Sequence, residues 1–431
     1  MRITCITAGC GGMYCGAYAR DAVLARALAA RGCDVQVIPL YMPMVLDEGD
    51  PPGTTRLFFG GVNVWLQQHV SLWRHVPRFA RRLLDGRPLL NYVARFAVQT
   101  KPEGLGPMTV SMLRGERGRQ AAELESLLDF MEQRPRPDVV NLGNSLLSGI
   151  VPALERRLGV RVLCELQGED DFVAATPEPY RSQARDLIRH NLRDIDLLIA
   201  PSHAYAAKAA EFLDVPRERI EVVRTGIEVD KHPPAPARPR EPFTVGCLSR
   251  ITPGKGLDLL VEACRILVGE QLRSLRLLVG GQVVDKGLWR SVRATLRRAG
   301  LERVVEHCEV RTLADKVALL QRCHVFSVPS RTAEIHGTAV MEAMAAGVPA
   351  VVPDSGVFPE MIELTGGGVL FPAGDPQALA DELARLMDEP ERAAAMGLAA
   401  RAGIGEHYSA AGMAEKTLAL YADLIEGRKP R

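Results

Sequence analysis

The sequence contains no run of about 20 apolar residues, which is the length that an α-helix needs to cross a membrane. It also has little net charge, because 53 Lys and Arg residues against 52 Asp and Glu residues leave +1 at pH 7. Nucleic-acid binding usually requires a basic stripe, so we expect no nucleic-acid partner. The opening MRITCITAGCGG has too short an apolar part for a secretory signal. Together these absences favour a globular, cytoplasmic protein.

Regularly spaced cysteines are absent as well. The nine cysteines are an odd number, and none of them forms a C-x2-C pair. Disulfide frameworks and zinc sites depend on such pairs. We therefore expect reduced thiols and no metal site.

The length of the chain favours two domains. At 431 residues it exceeds what one hydrophobic core supports and suffices for two domains of about 200 residues. The stretch HPPAPARPREP is too rich in proline for a helix or a central strand, and it predicts an interdomain linker at 233–242. The predicted domains are residues 1–232, with an irregular insertion at about 42–118, and residues 243–404.

The first domain opens with an apolar strand, a glycine-rich loop, a helix and a second apolar strand, which together form a Rossmann-like βαβ unit. Gly9 and Gly11 match the first two glycines of the dinucleotide motif G-x-G-x-x-G, but Tyr14 occupies the third place. The acidic residue expected after the second strand is also missing. The loop therefore does not favour NAD binding.

The insertion carries a basic and aromatic segment between Trp65 and Arg95, in which Asp85 is the one acidic residue. Two interpretations of this segment stay open. It could lie on an anionic membrane surface, where a lipid-linked acceptor would be found, and the protein would then be peripheral at the inner membrane face. Alternatively, its arginines are the solvated surface of a subdomain that covers the acceptor pocket.

The second domain opens with a strand and a loop that suits a diphosphate. The loop SRITPGKG places Arg250 and Lys255 on a Gly/Pro-containing turn just before a predicted helix. A helix N-terminus attracts anions, Arg offers a planar fork of donors, and Lys offers a point charge. The loop therefore predicts a phosphate-binding site, although surface loops with Arg and Lys are common.

A second strand-loop-helix-strand unit follows near the end of this domain. We predict a strand at 325–329, a polar loop, a helix at 338–346 and a strand at 348–353. Glu334 lies in the loop and Glu342 lies about one turn into the helix. On their spacing alone, ordinary solvated charges at a helix end are the favoured interpretation.

The residues from Glu334 through Gly337 to EAMAAGVPAVVPDSGVFPEMIE resemble the E-x7-E motif of retaining glycosyltransferases with the GT-B fold, and among these they are most similar to glycosyltransferase family 4. The loop around Arg250 is similar to the family's G-R-x4-K-G, with Ser249 in the Gly place. The resemblance covers nearly the whole chain. It implies an α/β architecture of two Rossmann-like domains that face each other across a cleft, with residues 405–431 packing back on the first domain.

The resemblance also implies roles on the donor side. Glu334 would lie beside the donor sugar, and Arg250 and Lys255 would bind the diphosphate; we group these three as catalytic. Glu342 would bind the ribose hydroxyls, the helix start would face the diphosphate, and the nucleobase would contact the chain near Arg311. The donor-binding residues are thus Gly280, Arg311, Gly337, Thr338, Ala339, Val340 and Glu342. His336 replaces a bulky apolar residue and Arg311 replaces a glycine, so the sugar and the base stay open.

On the acceptor side, the resemblance places residues of the first domain at the cleft. These residues are Gly11, Gly12, Asn144, Gln167 and Asp170. Many family members carry a His where this chain has Gln167. A glutamine can hydrogen-bond a hydroxyl but cannot act as a base near neutral pH.

The implied function is that of a retaining transferase of bacterial glycan biosynthesis type. It would move a hexosyl group from a nucleoside diphosphate sugar to a glycan, a lipid-linked molecule or a small molecule, with no cofactor and no metal. An epimerase of nucleotide sugars with the same fold and a catalytically weak nucleotide-sugar-binding protein are the alternatives. The sequence leaves the sugar, the base, the acceptor and the oligomeric state open.

Overall fold

A computed structural model describes residues 1–8, 16–41, 50–55, 57–59, 102–236, 241–271 and 273–428. Two compact units are formed: unit 1 comprises Met1–Arg224 together with Met413–Arg431, and unit 2 comprises Thr225–Gly412. The predicted site residues Gly11 and Gly12 and the basic segment 65–95 lie outside the described residues, so the roles assigned to them stay predictions.

Unit 1 is built on a parallel sheet of six strands in the order β2-β1-β3-β4-β5-β6. The strands are β1 (Arg2–Thr7), β2 (Asp34–Pro39), β3 (Val139–Leu142), β4 (Arg161–Glu165), β5 (Leu197–Ala200) and β6 (Ile220–Val222). Every residue of β3 and β5 is buried. Such continuous burial is expected of parallel strands that are covered on both faces.

Helices connect these strands. They are α1 (Gly16–Ala30), α2 (Pro102–Leu113), α3 (Ala121–Glu132), α4 (Val151–Leu158), α5 (Glu169–Ala174), α6 (Tyr180–Asn191) and α7 (His203–Leu213). The inner face of α1 packs against the sheet in a core that contains Ile3, Leu24, Leu28 and Leu163. The predicted βαβ opening is therefore present.

Unit 2 has a second parallel sheet of six strands in the order β12-β11-β10-β7-β8-β9. The strands are β7 (Phe243–Leu248), β8 (Leu275–Gly280), β9 (Val305–Cys308), β10 (Val325–Phe326), β11 (Ala350–Pro353) and β12 (Gly368–Phe371). Neighbouring residues of one strand enter different cores: Leu277 belongs to one apolar cluster and Leu278 to another. Both faces of this sheet are therefore covered.

The helices of unit 2 cover these two faces. They are α8 (Leu257–Arg265), α9 (Lys286–Arg298), α10 (Leu313–Leu320), α11 (Thr338–Ala345), α12 (Phe358–Thr365), α13 (Pro376–Asp388) and α14 (Pro390–His407). No helix among the described residues is both long and apolar enough to cross a bilayer.

The last helix, α15 (Ala410–Ile425), begins in unit 2 and continues in unit 1. In unit 1, Met413, Leu420 and Tyr421 belong to the same core as the first strand. The Tyr421 hydroxyl accepts a hydrogen bond of 2.7 Å from the side-chain amide of Asn141 on β3. The end of the chain is thus an integral part of the first unit.

The division between the units does not fall at the Pro-rich stretch. Unit 2 already begins at Thr225, ahead of the predicted linker at 233–242. Within that stretch the Ala235 N–H donates to the carbonyl of Ala346, at 2.8 Å, so this part of the chain is bonded to unit 2. Proline excludes regular structure but does not exclude packing.

Some predicted elements of unit 2 are shorter than expected. The predicted strand 325–329 is only Val325–Phe326, and the predicted strand 348–353 begins at Ala350. The first strand stops early because the chain turns, with the Ser330 N–H donating to the Val328 carbonyl, and because Pro329 has no N–H for a ladder.

The cysteines in the described part of the chain are free thiols, and five of these seven are buried. Burial raises the pKa of Cys247 and of Cys264 to about 12. Such thiols stay protonated and unreactive near neutral pH.

Candidate active site

The two phosphate-facing loops predicted for unit 2 lie next to each other. The loop after β7 contains Gly254, and its carbonyl accepts from the N–H of Arg331 in the loop after β10, at 2.8 Å. The Arg331 guanidinium also pairs with Asp258 on α8, at 2.6 Å. Because β7 and β10 are neighbouring parallel strands, the loops that follow them leave the same edge of the sheet.

This arrangement brings together two of the three residues predicted as catalytic. Lys255 Nζ lies 2.5 Å from Glu334 Oε1, and the side chains are 24% and 15% exposed. The hydroxyl of Ser330 donates to the same carboxylate oxygen. Glu334 is thus held by a cation and a hydroxyl at the border of solvent. Sequence reasoning did not single out Ser330, although it stands four residues before Glu334.

The backbone of Glu334 is fixed as well. Its carbonyl accepts from the N–H of Val357, at 2.8 Å. Gly356 stands at φ +62°, and a Cβ there would lie 2.4 Å from the Glu334 carbonyl oxygen. Only glycine suits that position, because a side chain there would collide with the Glu334 backbone. The loop DSGVF therefore packs directly against the Glu334 loop.

Arg250, the third residue of the predicted catalytic group, is exposed. Among the residues that the structure describes, it has no hydrogen-bond or ion-pair partner. Its guanidinium therefore does not share the contact between Lys255 and Glu334, and it is open to an anion from solution.

The start of α11 presents unsatisfied donors, as predicted. Gly337 precedes the helix at φ +65° and offers no side-chain cap. The Val340 N–H donates to the Gly337 carbonyl, at 3.0 Å. The N–H groups of Thr338 and Ala339 have no partner within the helix, because they belong to its first turn. The hydroxyl of Thr338 is buried and finds no hydrogen-bond partner among the described residues.

Glu342 is buried rather than solvated. It lies one turn into α11, and its carboxylate pairs with Lys316 Nζ at 2.7 Å, the two side chains being 7% and 9% exposed. His232 Nε2 is 4.0 Å from the same oxygen. Sequence reasoning missed both partners, because Lys316 sits in an ordinary amphipathic helix and His232 in the Pro-rich stretch.

Two more of the predicted donor-binding residues, Arg311 and Gly280, make contacts within the protein. Arg311 is exposed and pairs with Glu309, and its N–H donates to Asp315 at 3.1 Å within the capping box that begins α10. That N–H is therefore already engaged. Gly280 ends β8 in a buried position where a Cβ would lie 2.8 Å from Leu319, so packing alone requires a glycine there.

In unit 1, Gln167 lies at the carboxyl edge of the sheet, two residues after β4. Its Nε2 donates to Asp21 Oδ1 at 3.0 Å and to the Gly143 carbonyl at 2.5 Å. Asp21 also accepts from the Thr7 hydroxyl at 2.9 Å. Burial raises the pKa of Asp21 to about 7, against the opposing effect of the Arg20 guanidinium.

The acidic loop after Gln167 is occupied internally. Asp170, predicted on the acceptor side, is buried; it accepts from the Tyr205 hydroxyl at 2.8 Å and pairs with Lys208 at 2.6 Å. Glu169 accepts from the N–H groups of Ser145 at 2.6 Å and Gln167 at 2.7 Å, and burial raises its pKa. The contacts of Asp170 and Glu169 therefore fix the conformation of the loop that follows Gln167.

Asn144 has a similar local role. Its side-chain oxygen accepts from the Leu146 N–H at 3.1 Å and caps the 3₁₀ turn after β3. Of the described acceptor-side predictions, only Gln167 has a buried side-chain polar atom without a hydrogen-bond partner among the described residues.

Beneath Gln167 lies a buried ionic cluster that the sequence did not reveal. Arg20 pairs with Glu165 at 2.8 Å, and both side chains are at most 2% exposed. Asn141 donates to Glu165 at 3.2 Å. Arg20 and Glu165 are 145 positions apart, so no local pattern signals the pair.

Metal ligands are not grouped anywhere in the described part of the chain: no three His, Cys, Asp or Glu side chains there are placed to hold an ion. The metal-independent reaction stays a prediction, because this observation does not address the chemistry.

Comparison with known families identifies the kind of protein to which this chain belongs. Residues 16–226 match the model of the Glycosyl transferase 4-like domain, and residues 228–403 match that of Glycosyl transferases group 1. The protein is a glycosyltransferase. The resemblance in the E-x7-E segment is therefore confirmed at the level of the family.

The curated relatives of this glycosyltransferase align with it over part of their own length. A putative colanic acid biosynthesis glycosyltransferase, WcaL, of Escherichia coli is 30% identical over 247 residues, which cover 55% of this chain and 58% of that protein. A GDP-mannose-dependent phosphatidylinositol monomannoside mannosyltransferase of Mycolicibacterium smegmatis is 28% identical over 68% of this chain and 77% of that protein. The chain spans little more than half the length of the first of these.

Solved structures show the fold of the glycosyltransferase. HepE of Anabaena, in complex with UDP and glucose, aligns with a TM-score of 0.70 at 16% identity over 98% of this chain and 99% of that one. A sucrose-phosphate synthase of Thermosynechococcus elongatus aligns with a TM-score of 0.70 at 18% identity over 99% and 100%. With two six-stranded parallel sheets, the predicted GT-B architecture is confirmed.

Proposed function

We propose that this glycosyltransferase transfers a hexosyl group from a nucleoside diphosphate sugar to a hydroxyl of an acceptor, with retention of configuration and without a metal ion. The observation that supports this most is the Lys255–Glu334 pair, which lies beside the uncapped start of α11. A cation, a carboxylate and free helix donors within one sheet edge suit a sugar joined to a diphosphate.

The diphosphate would be bound by unit 2. Arg250 offers an unengaged guanidinium, and Lys255 carries a second positive charge. The N–H groups of Thr338 and Ala339 and the Thr338 hydroxyl supply donors that lack other partners. As the bond from the sugar to the phosphate breaks, negative charge grows on the departing diphosphate. Fixed cations and amides stabilise this charge in the role that a metal ion fills elsewhere.

The bond changes are those of a front-face substitution. The bond between the anomeric carbon and the phosphate oxygen breaks, and the bond to the acceptor oxygen forms on the same face. The acceptor proton passes to the departing phosphate oxygen. Glu334 would lie beside the sugar. Its carboxylate can there accept hydrogen bonds from the sugar hydroxyls and face the positive charge that develops at the anomeric carbon.

The base and the acceptor are proposed only as classes. HepE is described in complex with UDP, and the mycobacterial relative is named as GDP-mannose-dependent. UDP-sugars and GDP-sugars are therefore the donors to test first.

We also propose a cytoplasmic protein that contacts the membrane through the basic segment 65–95. Flotation with anionic vesicles, lost when arginines of that segment become serine, would support this contact, and unchanged flotation would oppose it.

The test is release of nucleoside diphosphate from a panel of donors, with EDTA present. We expect slow hydrolysis of one donor by the wild type and a loss of at least about 100-fold in Glu334→Gln, which is the scale of one electrostatic group in an active site. Glu391→Gln, at an exposed carboxylate of unit 2, is the matched control and should keep full activity. Equal rates in Glu334→Gln and wild type would contradict the proposal. Conversion of the donor without release of nucleoside diphosphate would favour an epimerase. Binding of the donor without turnover would favour a nucleotide-sugar-binding protein.

A further inference from the structure

Gln167 has a side-chain amide whose orientation is fixed by its neighbours. Both hydrogens of Nε2 are used, because this nitrogen donates to Asp21 Oδ1 at 3.0 Å and to the Gly143 carbonyl at 2.5 Å. Turning the amide over would place Oε1 against the Gly143 carbonyl, which can only accept a hydrogen bond and repels another acceptor. The hydrogen-bond network thus determines which atom of the amide points away from Asp21.

The remaining atom of that amide is an acceptor without a donor. Gln167 Oε1 is buried, and no described residue donates to it. A buried acceptor that loses its partner costs about 1–3 kcal/mol, so such atoms in native proteins are normally satisfied by a ligand, a water or the protein. The group that completes this site must therefore carry a donor, such as a hydroxyl.

Asp21 is itself held on both oxygens. Oδ2 accepts from the Thr7 hydroxyl at 2.9 Å, and Arg20 Nη1 lies 3.7 Å from Oδ1. The backbone approaches closely too, because a Cβ on Gly143 would lie 2.6 Å from Oδ2. Thr7, Gly143 and Gln167 stand at the carboxyl ends of β1, β3 and β4, which are neighbours in the sheet. The carboxylate is therefore a fixed support at the edge where ligands of parallel sheets bind.

We propose that Asp21 is a positioning residue that holds Gln167 with Oε1 directed to a substrate hydroxyl. The proposal rests on the transferase function above and adds the direction of one hydrogen bond: the substrate donates and the protein accepts. The ligand class is a polyol or sugar that presents a free hydroxyl, and a ligand offering only an acceptor, such as an O-methylated sugar, is disfavoured at this point.

The first test needs no substrate. In protein labelled with ¹⁵N in glutamine side chains, the Gln167 NH2 signal is identified by its loss in Gln167→Leu. We expect slow hydrogen exchange of this NH2 in the wild type and in Asp21→Asn, whose amide oxygen still accepts from Nε2 while its NH2 turns to Thr7. We expect at least about tenfold faster exchange in Asp21→Leu. Equal exchange in Asp21→Leu and the wild type would overturn the positioning role, whatever the enzyme transfers.

The second test uses the donor found in the release assay and a panel of methyl glycosides as acceptors. Asp21→Leu and Gln167→Leu should each raise the acceptor KM about tenfold, as expected for one lost hydrogen bond, while the affinity for nucleoside diphosphate stays unchanged. The double variant should be no worse than Gln167→Leu alone, because Asp21 acts through Gln167. Additive effects would show a merely structural role for Asp21. Absence of wild-type turnover with every donor would refute the transferase function and leave the exchange test to decide the rest.

Discussion

The carboxylates of the two units are held in different ways. In unit 2, Glu334 pairs with Lys255 while both side chains keep contact with solvent, at 15% and 24% exposure. In unit 1, Glu165 pairs with Arg20 where both side chains are at most 2% exposed. An ion pair at the border of solvent can exchange one partner for a ligand, whereas a fully buried pair cannot be opened without a large desolvation cost. The first arrangement suits substrate binding, and the second supports the fold beneath a binding edge.

The largest effect should come from breaking the buried pair of unit 1. Arg20→Met is expected to lower the free energy of unfolding by about 3–5 kcal/mol, because Glu165 keeps a buried charge without its cation. Denaturation in urea measures the change. Arg161→Met, which removes an exposed pair with Asp196, is the control and should cost at most about 1 kcal/mol. Similar losses in both variants would remove the distinction between the pairs.

A smaller loss is expected where the buried pair belongs to the donor side. Lys316→Met should cost about 3 kcal/mol, because the buried Glu342 loses the cation at 2.7 Å. Adding Glu342→Leu should recover most of that stability, since the second change removes the buried charge that has lost its lysine. A double variant as unstable as Lys316→Met would show that the side chain of Lys316 matters through packing instead.

The pH dependence of stability should reveal Asp21. Its pKa in the folded protein is about 7, above the ordinary value of 3.8, so the folded state keeps this proton to higher pH than the unfolded state does. The contribution of Asp21 to the free energy of unfolding is therefore greatest below pH 4. It falls as the pH rises to about 7, by at most about 1.4 kcal/mol per pH unit.

Asp21→Asn cannot ionise, so its stability relative to the wild type should improve steadily between pH 5 and pH 6. Thermal unfolding of both proteins in the same buffers measures this difference. A constant difference across that range would show that Asp21 has an ordinary pKa. Asp21 is also faced by Arg20, Glu165 and Cys5. These groups are present in both proteins, so the comparison isolates the ionisation of Asp21.

The smallest effect should come from an exposed pair outside both sites. Arg273 and Asp388 form a two-pronged contact of 2.6 and 2.7 Å on the surface of unit 2. Arg273→Ala should change the free energy of unfolding by less than about 1 kcal/mol, because solvent screens the pair and ordering two long side chains costs entropy. A loss comparable with that of Arg20→Met would mean that burial does not govern these pairs.

The sequence predicted the parts of this protein that depend on local pattern. The loop with Arg250 and Lys255, the Glu334 loop and the helix start at Gly337 each carry a short motif, and the structure brings Lys255 to Glu334. The pairs of Arg20 with Glu165 and of Lys316 with Glu342 could not be predicted, because each joins residues far apart in the chain. The partners of Asp170 could not be predicted either, because Tyr205 and Lys208 lie on α7, away from Asp170 on α5.

The most direct test of the donor site is calorimetric titration of the wild type with UDP and with GDP. We expect one of them to bind and its affinity to fall about 10- to 100-fold in Arg250→Ala and in Lys255→Ala, the scale of a hydrogen bond to a charged group. Arg298→Ala, at an exposed position on α9, should bind as the wild type does. Equal affinity in all four proteins, or no binding of either nucleotide, would contradict a diphosphate site at these loops.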